Sequence, residues 1–310
     1  MARALVTGAN GFVGAAVCRH LLTLGWSLRG SLRRTDTALP AGVEAVVTGD
    51  IDGATDWTAA LDSIDAVVHC AARVHVVRES DSDPLASFRR VNVAASRRLA
   101  EQAVAADVRH FIFLSSIGAA RAERDPAGAN PYQISKLEAE TALREAVDGS
   151  AMTLVMLRPP LIYGPGAPGN FARLARLVAA GRPLPLASID NRRSLLFIGN
   201  LTSAVEAALQ CSKSPASALP LADAETLSTA ELARRIGQAC GRPARLFPFP
   251  PALLRLAGGL AGHGPAAGAL TSSLTLDNAR IGETLGWAPR YSITEGLALT
   301  FQKSGEVQAR

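Results

Sequence analysis

The chain of 310 residues is poor in cysteine, with four (Cys18, Cys70, Cys211 and Cys240) spread along it and no Cys-x-x-Cys spacing. Its five histidines are equally scattered. That signals neither a disulfide framework nor a zinc site, so reduced, mostly buried thiols and no structural metal are expected. Aromatic residues make up only 5%. No basic run of five or more occurs, and the net charge of +5 comes largely from arginine doublets such as Arg33-Arg34 and Arg192-Arg193. Nucleic-acid binding, which needs basic patches with stacking aromatics, is therefore not indicated, and a small anionic ligand is the more economical partner. Long hydrophobic runs are also missing. The apolar start at Ala4-Leu5-Val6 is too brief for a signal peptide, and the best later candidate, residues 252–261, is broken by Arg255 and Gly258-Gly259. No membrane insertion and a cytoplasmic location are the expectations.

What the chain does have is a 48% hydrophobic content, enough for one large domain or two smaller ones. Ala4-Leu5-Val6 runs into Thr7-Gly8-Ala9-Asn10-Gly11-Phe12-Val13-Gly14, after which apolar residues recur at helical spacing. This pattern predicts strand, glycine turn and helix. Gly8, Gly11 and Gly14 would allow a sharp turn, close approach of a pyrophosphate to the backbone, and tight helix packing, with free N–H groups at the helix start for the anion. Strands are predicted at 27–33, 43–47, 66–72, 111–114 and 153–157, interleaved with helices. Six such strands argue a Rossmann-type doubly wound parallel sheet of the α/β class. The texture changes after Pro160, where Tyr163-Gly164-Pro165-Gly166 opens a Gly/Pro loop. The expected organisation is a dinucleotide-binding domain over 1–160, with a returning segment near 194–211, and a smaller substrate lobe over 161–310. Within that lobe a strand over 192–198 and a helix over 201–209 capped by Asn200 are expected.

The second strand ends in Leu32-Arg33-Arg34, with no carboxylate before Asp36. An acidic residue usually holds the adenosine ribose there. Two guanidinium groups suit a 2′-phosphate instead, so the sequence leans towards NADP, unless these arginines are solvated loop charges. The fifth strand delivers Ser115-Ser116 to the carboxyl end of the sheet, where ligands sit in such folds. Farther on comes Asn130-Pro131-Tyr132-Gln133-Ile134-Ser135-Lys136, in a chain with only three tyrosines and three lysines. Asn130 suits a helix N-cap and Pro131 the first helical position, so Tyr132 and Lys136 lie one turn apart on one face. An adjacent ammonium favours the ionised phenol, and a depression of roughly 3 pKa units would make Tyr132 a usable proton acceptor and donor. Ser116 alone reads equally as a turn or capping residue.

Taken in order, Thr-Gly-x-x-Gly-x-x-Gly at 7–14, Gly49-Asp50, His69-x-Ala71-Ala72, Asn92, Ser115-Ser116, Tyr132-x-x-x-Lys136, Arg158-Pro159, Tyr163-Gly164-Pro165-Gly166 and Leu285-Gly286-Trp287-x-Pro289 resemble the extended short-chain dehydrogenase/reductase family, in its nucleotide-sugar epimerase/reductase branch. The resemblance implies Tyr132 as acid/base, Lys136 on the nicotinamide ribose, and Ser116 on the reacting oxygen. It implies a cofactor site of Gly8, Asn10, Gly11, Phe12, Val13, Gly14, Arg33, Arg34, Asp50, Ile51, Ala71, Ala72, Asn92 and Lys136. Asn170 and Arg193 would join Ser116 and Tyr132 in gripping a UDP-sugar, since a bidentate guanidinium suits a diphosphate. The stretches 71–76 and 191–195 look most like bacterial reductases of UDP-4-keto-6-deoxy-N-acetylhexosamines in surface-polysaccharide synthesis. UDP-hexose 4-epimerases with retained NAD share most of the marks, and no Thr-Asp-Glu dehydratase pattern follows Leu114. A reductase at C4 is the leading expectation, a 4-epimerase the alternative, and a non-catalytic dinucleotide sensor the reading from another class. A homodimer through the helices near 84–106 and 132–146 is expected, unless their apolar faces are spent on the sheet.

Overall fold

The computed structural model describes residues 2–74, 83–260, 268 and 270–302. His75 and Val76, part of the stretch likened to reductases, and the tail from Lys303 lie outside the described residues. The chain divides into two compact units. The first comprises Met1–Pro160, Leu201–Leu221 and Ala279–Ala288, the second Leu161–Asn200, Ala222–Asn278 and Pro289–Arg310.

The first unit is built on β1 (Arg3–Thr7), β2 (Ser27–Leu32), β3 (Val43–Val47), β4 (Ala66–His69), β5 (His110–Leu114) and β6 (Thr153–Arg158). A short seventh strand, Leu219–Pro220, joins the edge beside β6. The order is β3-β2-β1-β4-β5-β6 and then this strand, all parallel. Strands covered by helices on both faces must be apolar throughout, and Ala4, Leu5, Val6, Val67, Val68, Phe111, Ile112 and Phe113 are all fully buried. The order reverses between β1 and β4, which defines the switch point where such sheets bind ligands.

Helix α1 (Phe12–Thr23) follows the glycine turn directly, and the short α2 (Thr58–Leu61) precedes β4. Gly14 has to be glycine, because a Cβ there would stand 2.1 Å from the Gly8 carbonyl oxygen. The helical stretch over 84–105 consists of α3 (Pro84–Phe88), a π-helical segment (Arg89–Ala94) and α4 (Ala95–Ala105). Helices α5 (Ile117–Arg124) and α6 (Pro131–Val147) complete the part that carries the site. Leu99, Ala103 and Leu143 from α4 and α6 pack into one core with Val67, Phe111 and Met156 of the sheet. The apolar faces of these helices are thus spent on the sheet. Across their exposed sides run the ion pairs Arg89–Glu138 and Arg97–Glu145.

The second unit holds a three-stranded sheet in which β8 (Arg193–Phe197) lies between β7 (Leu161–Tyr163) and Thr226–Leu227. The returning segment expected at 194–211 accordingly begins at Leu201, since β8 pairs within this small sheet, and 279–288 returns as well. Asn200 does not cap a helix. The helix Ile198–Leu209 has already begun, and the Asn200 amide instead donates to Asp223 at 2.8 Å and to the Tyr291 carbonyl at 2.8 Å while accepting from the Tyr291 N–H at 2.9 Å. A buried amide with strong tertiary partners has no reason to satisfy the local backbone. Among the described residues no helix is long and apolar enough to cross a membrane, and no cluster of metal-ligating side chains occurs.

Candidate active site

Three strand ends and one helix assemble the site. After β1, Gly8 takes φ +64°, a region that favours glycine, and a Cβ there would lie 3.0 Å from the Ala71 N. Gly11 is the residue before α1, with no side chain at the cap, so the first N–H groups of the helix face outward past Asn10 and Gly11, both exposed. Phe12 and Val13 are half-buried in the first turn. Backbone alone forms this surface, which is the donor set a diphosphate needs.

A hydrogen-bonded chain locks the turn to the end of β4. Ser96 donates to the Asn92 carbonyl at 2.7 Å, so its oxygen accepts from His69 Nε2 at 2.8 Å. His69 Nδ1 is then the acceptor, taking the Thr7 hydroxyl proton at 2.6 Å, and Thr7 Oγ1 in turn accepts from the Ala71 N–H at 3.1 Å. Every polar atom of the chain is satisfied only with the imidazole neutral. Burial, with a smaller contribution from Lys136, pushes the His69 pKa down to about 3.

Asn92 sits in the π-helical segment, a distortion frequent at functional sites. Its side chain accepts from the Arg73 N–H at 2.8 Å and donates to the Arg73 carbonyl and the Ser135 hydroxyl, each at 3.0 Å. The segment through Ala71 and Ala72 is thereby tied to α6. Ser135 donates onward to the Tyr132 carbonyl at 2.9 Å.

Helix α6 starts with a full capping box, Asn130 accepting from Gln133 N and the Gln133 side chain accepting from Asn130 N, both at 3.0 Å, with Pro131 first in the helix. This sets Tyr132 in the first turn. Its hydroxyl is hydrogen-bonded with Ser116, which caps α5 by accepting from Gly118 N at 3.0 Å. Serine and tyrosine therefore meet at one point, as the spacing led one to expect. The sign of the tyrosine shift is the opposite of the expected depression: burial raises the phenol, and the Ser116 hydrogen bond only partly opposes it. The reason is where Lys136 points. Its buried ammonium donates to the Leu114 carbonyl at 2.8 Å and stands 4.5 Å over the Phe113 ring. Burial pulls the lysine down to about 8 against the raising influence of Cys70 and Glu140. Tyr132 is accordingly a protonated donor at neutral pH.

Sequence reasoning missed Glu140, one turn beyond Lys136. Fully buried, its carboxylate accepts from the Ser115 hydroxyl at 2.5 Å and from Arg158 through two bonds of 2.8 and 2.6 Å. The i+4 spacing from Lys136 was the available signal. His69, Thr7 and Ser135 were likewise unassigned.

Arg33 and Arg34 are exposed beyond β2, where Arg33 pairs with Asp50 at 2.8 Å and Arg34 with Asp36 at 2.7 Å. Asp50, expected at the adenine, thus has a guanidinium partner, and Ile51 beside it is half-buried. The other two expected substrate residues lie in the second unit. Asn170 is exposed in α7 (Gly169–Ala179). Arg193, at the start of β8, donates to the Ser272 carbonyl at 3.0 Å, and burial lowers its pKa.

A doubly wound parallel sheet with a glycine turn at the switch point and Ser116, Tyr132 and Lys136 at its carboxyl edge defines an enzyme of the short-chain dehydrogenase/reductase class. The chain belongs to the NAD dependent epimerase/dehydratase family, whose model matches residues 4–218. It is 36% identical to a UDP-glucose 4-epimerase of Vibrio cholerae, over 96% of this chain and 94% of that protein. A 3 beta-hydroxysteroid dehydrogenase/Delta 5-->4-isomerase of Mycobacterium tuberculosis is 31% identical, over 78% of this chain and 70% of that protein. The UDP-N-acetylglucosamine 4-epimerase of Bacillus cereus shares the fold at a TM-score of 0.75 and 20% identity, over 97% of this chain and 96% of that one. The UDP-glucose 4-epimerase of Thermus thermophilus, in complex with NAD, does so at 0.72 and 24%, over 96% and 97%. Gly14 lets α1 pack directly on the Gly8 turn, which leaves the exposed backbone at Asn10 and Gly11 at the helix start, a surface that fits the diphosphate of a dinucleotide.

The neutral His69 carries a pH prediction. Its folded pKa of about 3 lies below the ordinary 6.5, so its stabilising contribution is complete above pH 6.5 and is lost as pH falls towards 3. Urea unfolding of the wild type should weaken with falling pH in that window more steeply than that of His69→Gln, by up to about 1.4 kcal/mol per pH unit. Parallel curves for the two would show that the imidazole is not held neutral.

Proposed function

We propose that this chain is a UDP-hexose 4-epimerase that retains NAD through turnover. The observation that carries the proton chemistry is the Tyr132–Ser116 hydrogen bond beside the buried Lys136. The near full-length relationship to a UDP-glucose 4-epimerase supports the choice of epimerase over the 4-keto reductase suggested by the sequence alone.

In this reading Gly8, Gly11, Gly14 and the first N–H groups of α1 bind the diphosphate, Ala71, Ala72 and Asn92 line the path to the nicotinamide, and Asp50 and Ile51 approach the adenine. Bound NAD supplies the acceptance and return of hydride at the sugar C4. Ser116 hydrogen-bonds the C4 oxygen and orients it towards Tyr132. Tyr132 takes the proton as the C4 hydroxyl becomes a ketone and gives it back to the C4 oxygen in the second half-reaction, when hydride returns to the opposite face of C4. The phenol must ionise to begin, and the Lys136 ammonium, re-aimed from the Leu114 carbonyl to a ribose hydroxyl, supplies the nearby positive charge for that step. Asn170 and Arg193 hold the UDP moiety, Arg193 as a charge-assisted donor to the diphosphate. The enzyme works in the cytoplasm, and a homodimer through α4 and α6 is not part of this reading, since their apolar residues pack on the sheet.

Reduction of a UDP-4-keto sugar with NADPH is the second reading, favoured by Arg33 and Arg34 in a position without a ribose carboxylate. Their ion pairs with Asp50 and Asp36 fit NAD as well, since both guanidinium charges already have partners.

Replacing Tyr132 with Phe should lower kcat by about 10²- to 10⁴-fold and leave UDP-hexose binding nearly unchanged. Steady-state kinetics and a direct UDP-hexose titration check both halves, and unaltered turnover would remove Tyr132 from the mechanism.

The coenzyme released on denaturing the purified protein should be NAD. Recovery of NADP, or NADPH binding that Arg33→Ala/Arg34→Ala weakens by about tenfold or more while NADH is unaffected, would support the reductase instead.

A further inference from the structure

Outside the site, the second unit presents a surface for which epimerisation has no use. From residue 232 to residue 276 the chain has no Asp or Glu, while it carries Arg234, Arg235, Arg242, Arg245 and Arg255. Arg234 and Arg235 are paired with Glu231 and Glu225, and Arg242 donates to the Ala179 carbonyl. Arg245 and Arg255 have no carboxylate partner among the described residues.

Between and beyond them lies α10 (Pro251–Leu260). Its half-buried residues, Pro251 and Leu254, lie on one side. On the other, Leu253 is 50% and Leu256 60% exposed, three residues apart on one helical face, with exposed Ala252 and Ala257 flanking them. Phe247, 41% exposed, precedes the helix in a segment held by backbone hydrogen bonds from Phe247 N to Leu184 O and from Ala187 N to Phe247 O. A helix of fewer than the roughly 20 residues that span a bilayer, with leucines outward, in a stretch of sequence that carries arginines but no carboxylate, has the composition of an interfacial element.

We infer that α10 and Phe247 form a peripheral docking surface for a membrane rich in anionic lipid. The leucines and the phenylalanine would enter the acyl boundary, while Arg245 and Arg255 meet lipid phosphates. Charge complementarity selects this occupant. A nucleic acid offers its phosphates but nothing apolar to cover the leucines, and a second copy of the same stretch would bring arginines to arginines, with no carboxylate between residues 232 and 276. Helix α10 belongs to the second unit, whereas Ser116, Tyr132 and Lys136 belong to the first.

The test is co-sedimentation of the full chain with vesicles of phosphatidylglycerol and, separately, of phosphatidylcholine. Binding is expected to phosphatidylglycerol only and to weaken as salt is raised. Leu253→Ser/Leu256→Ser and Arg245→Glu/Arg255→Glu should each lower the partition coefficient by more than about tenfold. Both variants should keep the wild-type circular dichroism and UDP-hexose turnover, which separates lost docking from lost folding. Failure of the wild type to sediment with phosphatidylglycerol overturns the proposal. So does equal binding to both lipids, or a leucine variant whose only change is a smaller mass in solution, which would assign the face to a second copy.

Discussion

The buried carboxylate of Glu140 fixes the turn on which the chemistry depends. Held by both arms of Arg158 and by the Ser115 hydroxyl, it pins the end of β5 and the end of β6 to the helix that carries Tyr132 and Lys136. An ion in such surroundings is tolerated only because its lone pairs are met, and removing one partner of a buried pair costs about 3–5 kcal/mol. Ser116 follows Ser115 directly, and its neighbour Ile117 donates to the Pro159 carbonyl at 3.0 Å. The serine that meets the phenol is thus positioned through its neighbours.

A second network, from Thr7 through His69 and Ser96 to Asn92, does for the proposed cofactor side what Glu140 does for the side of Ser116 and Tyr132. Its members come from β1, β4, the π-helical segment and α4, so the glycine turn, the Ala71-Ala72 segment and α6 share one rigid frame. Catalytic groups set on such a frame lose little freedom at the moment of reaction, which is the condition for effective positioning.

Much of this was legible in the sequence wherever the signal was local. Asn130-Pro131 and Gln133 predicted the start of α6, because capping requires neighbours three residues apart. The glycine turn, the apolar strands and the Ser116–Tyr132 meeting likewise follow from period and order. Features fixed by distant parts of the chain were not legible. The upward shift of Tyr132 comes from its burial, while the Lys136 ammonium is spent on the Leu114 carbonyl, and the ion pair of Arg33 with Asp50 joins two strand ends. Asn200 reads as a cap by composition, yet its partners are Asp223 and Tyr291. The edge strand Leu219–Pro220, two residues long, has no period to read. The choice between epimerase and reductase was not local either, since both chemistries use the same serine, tyrosine and lysine. The kinship with a UDP-glucose 4-epimerase moved that choice.

The central claim is that hydride leaves and returns to the same sugar carbon without exchanging with coenzyme in solution. The direct measurement is turnover of UDP-glucose deuterated at C4, with no coenzyme added, followed by NMR and mass spectrometry of the UDP-galactose formed. Full retention of deuterium at C4 of the product is the predicted result. Loss of the label, or product only when NADPH is supplied and consumed, would contradict it.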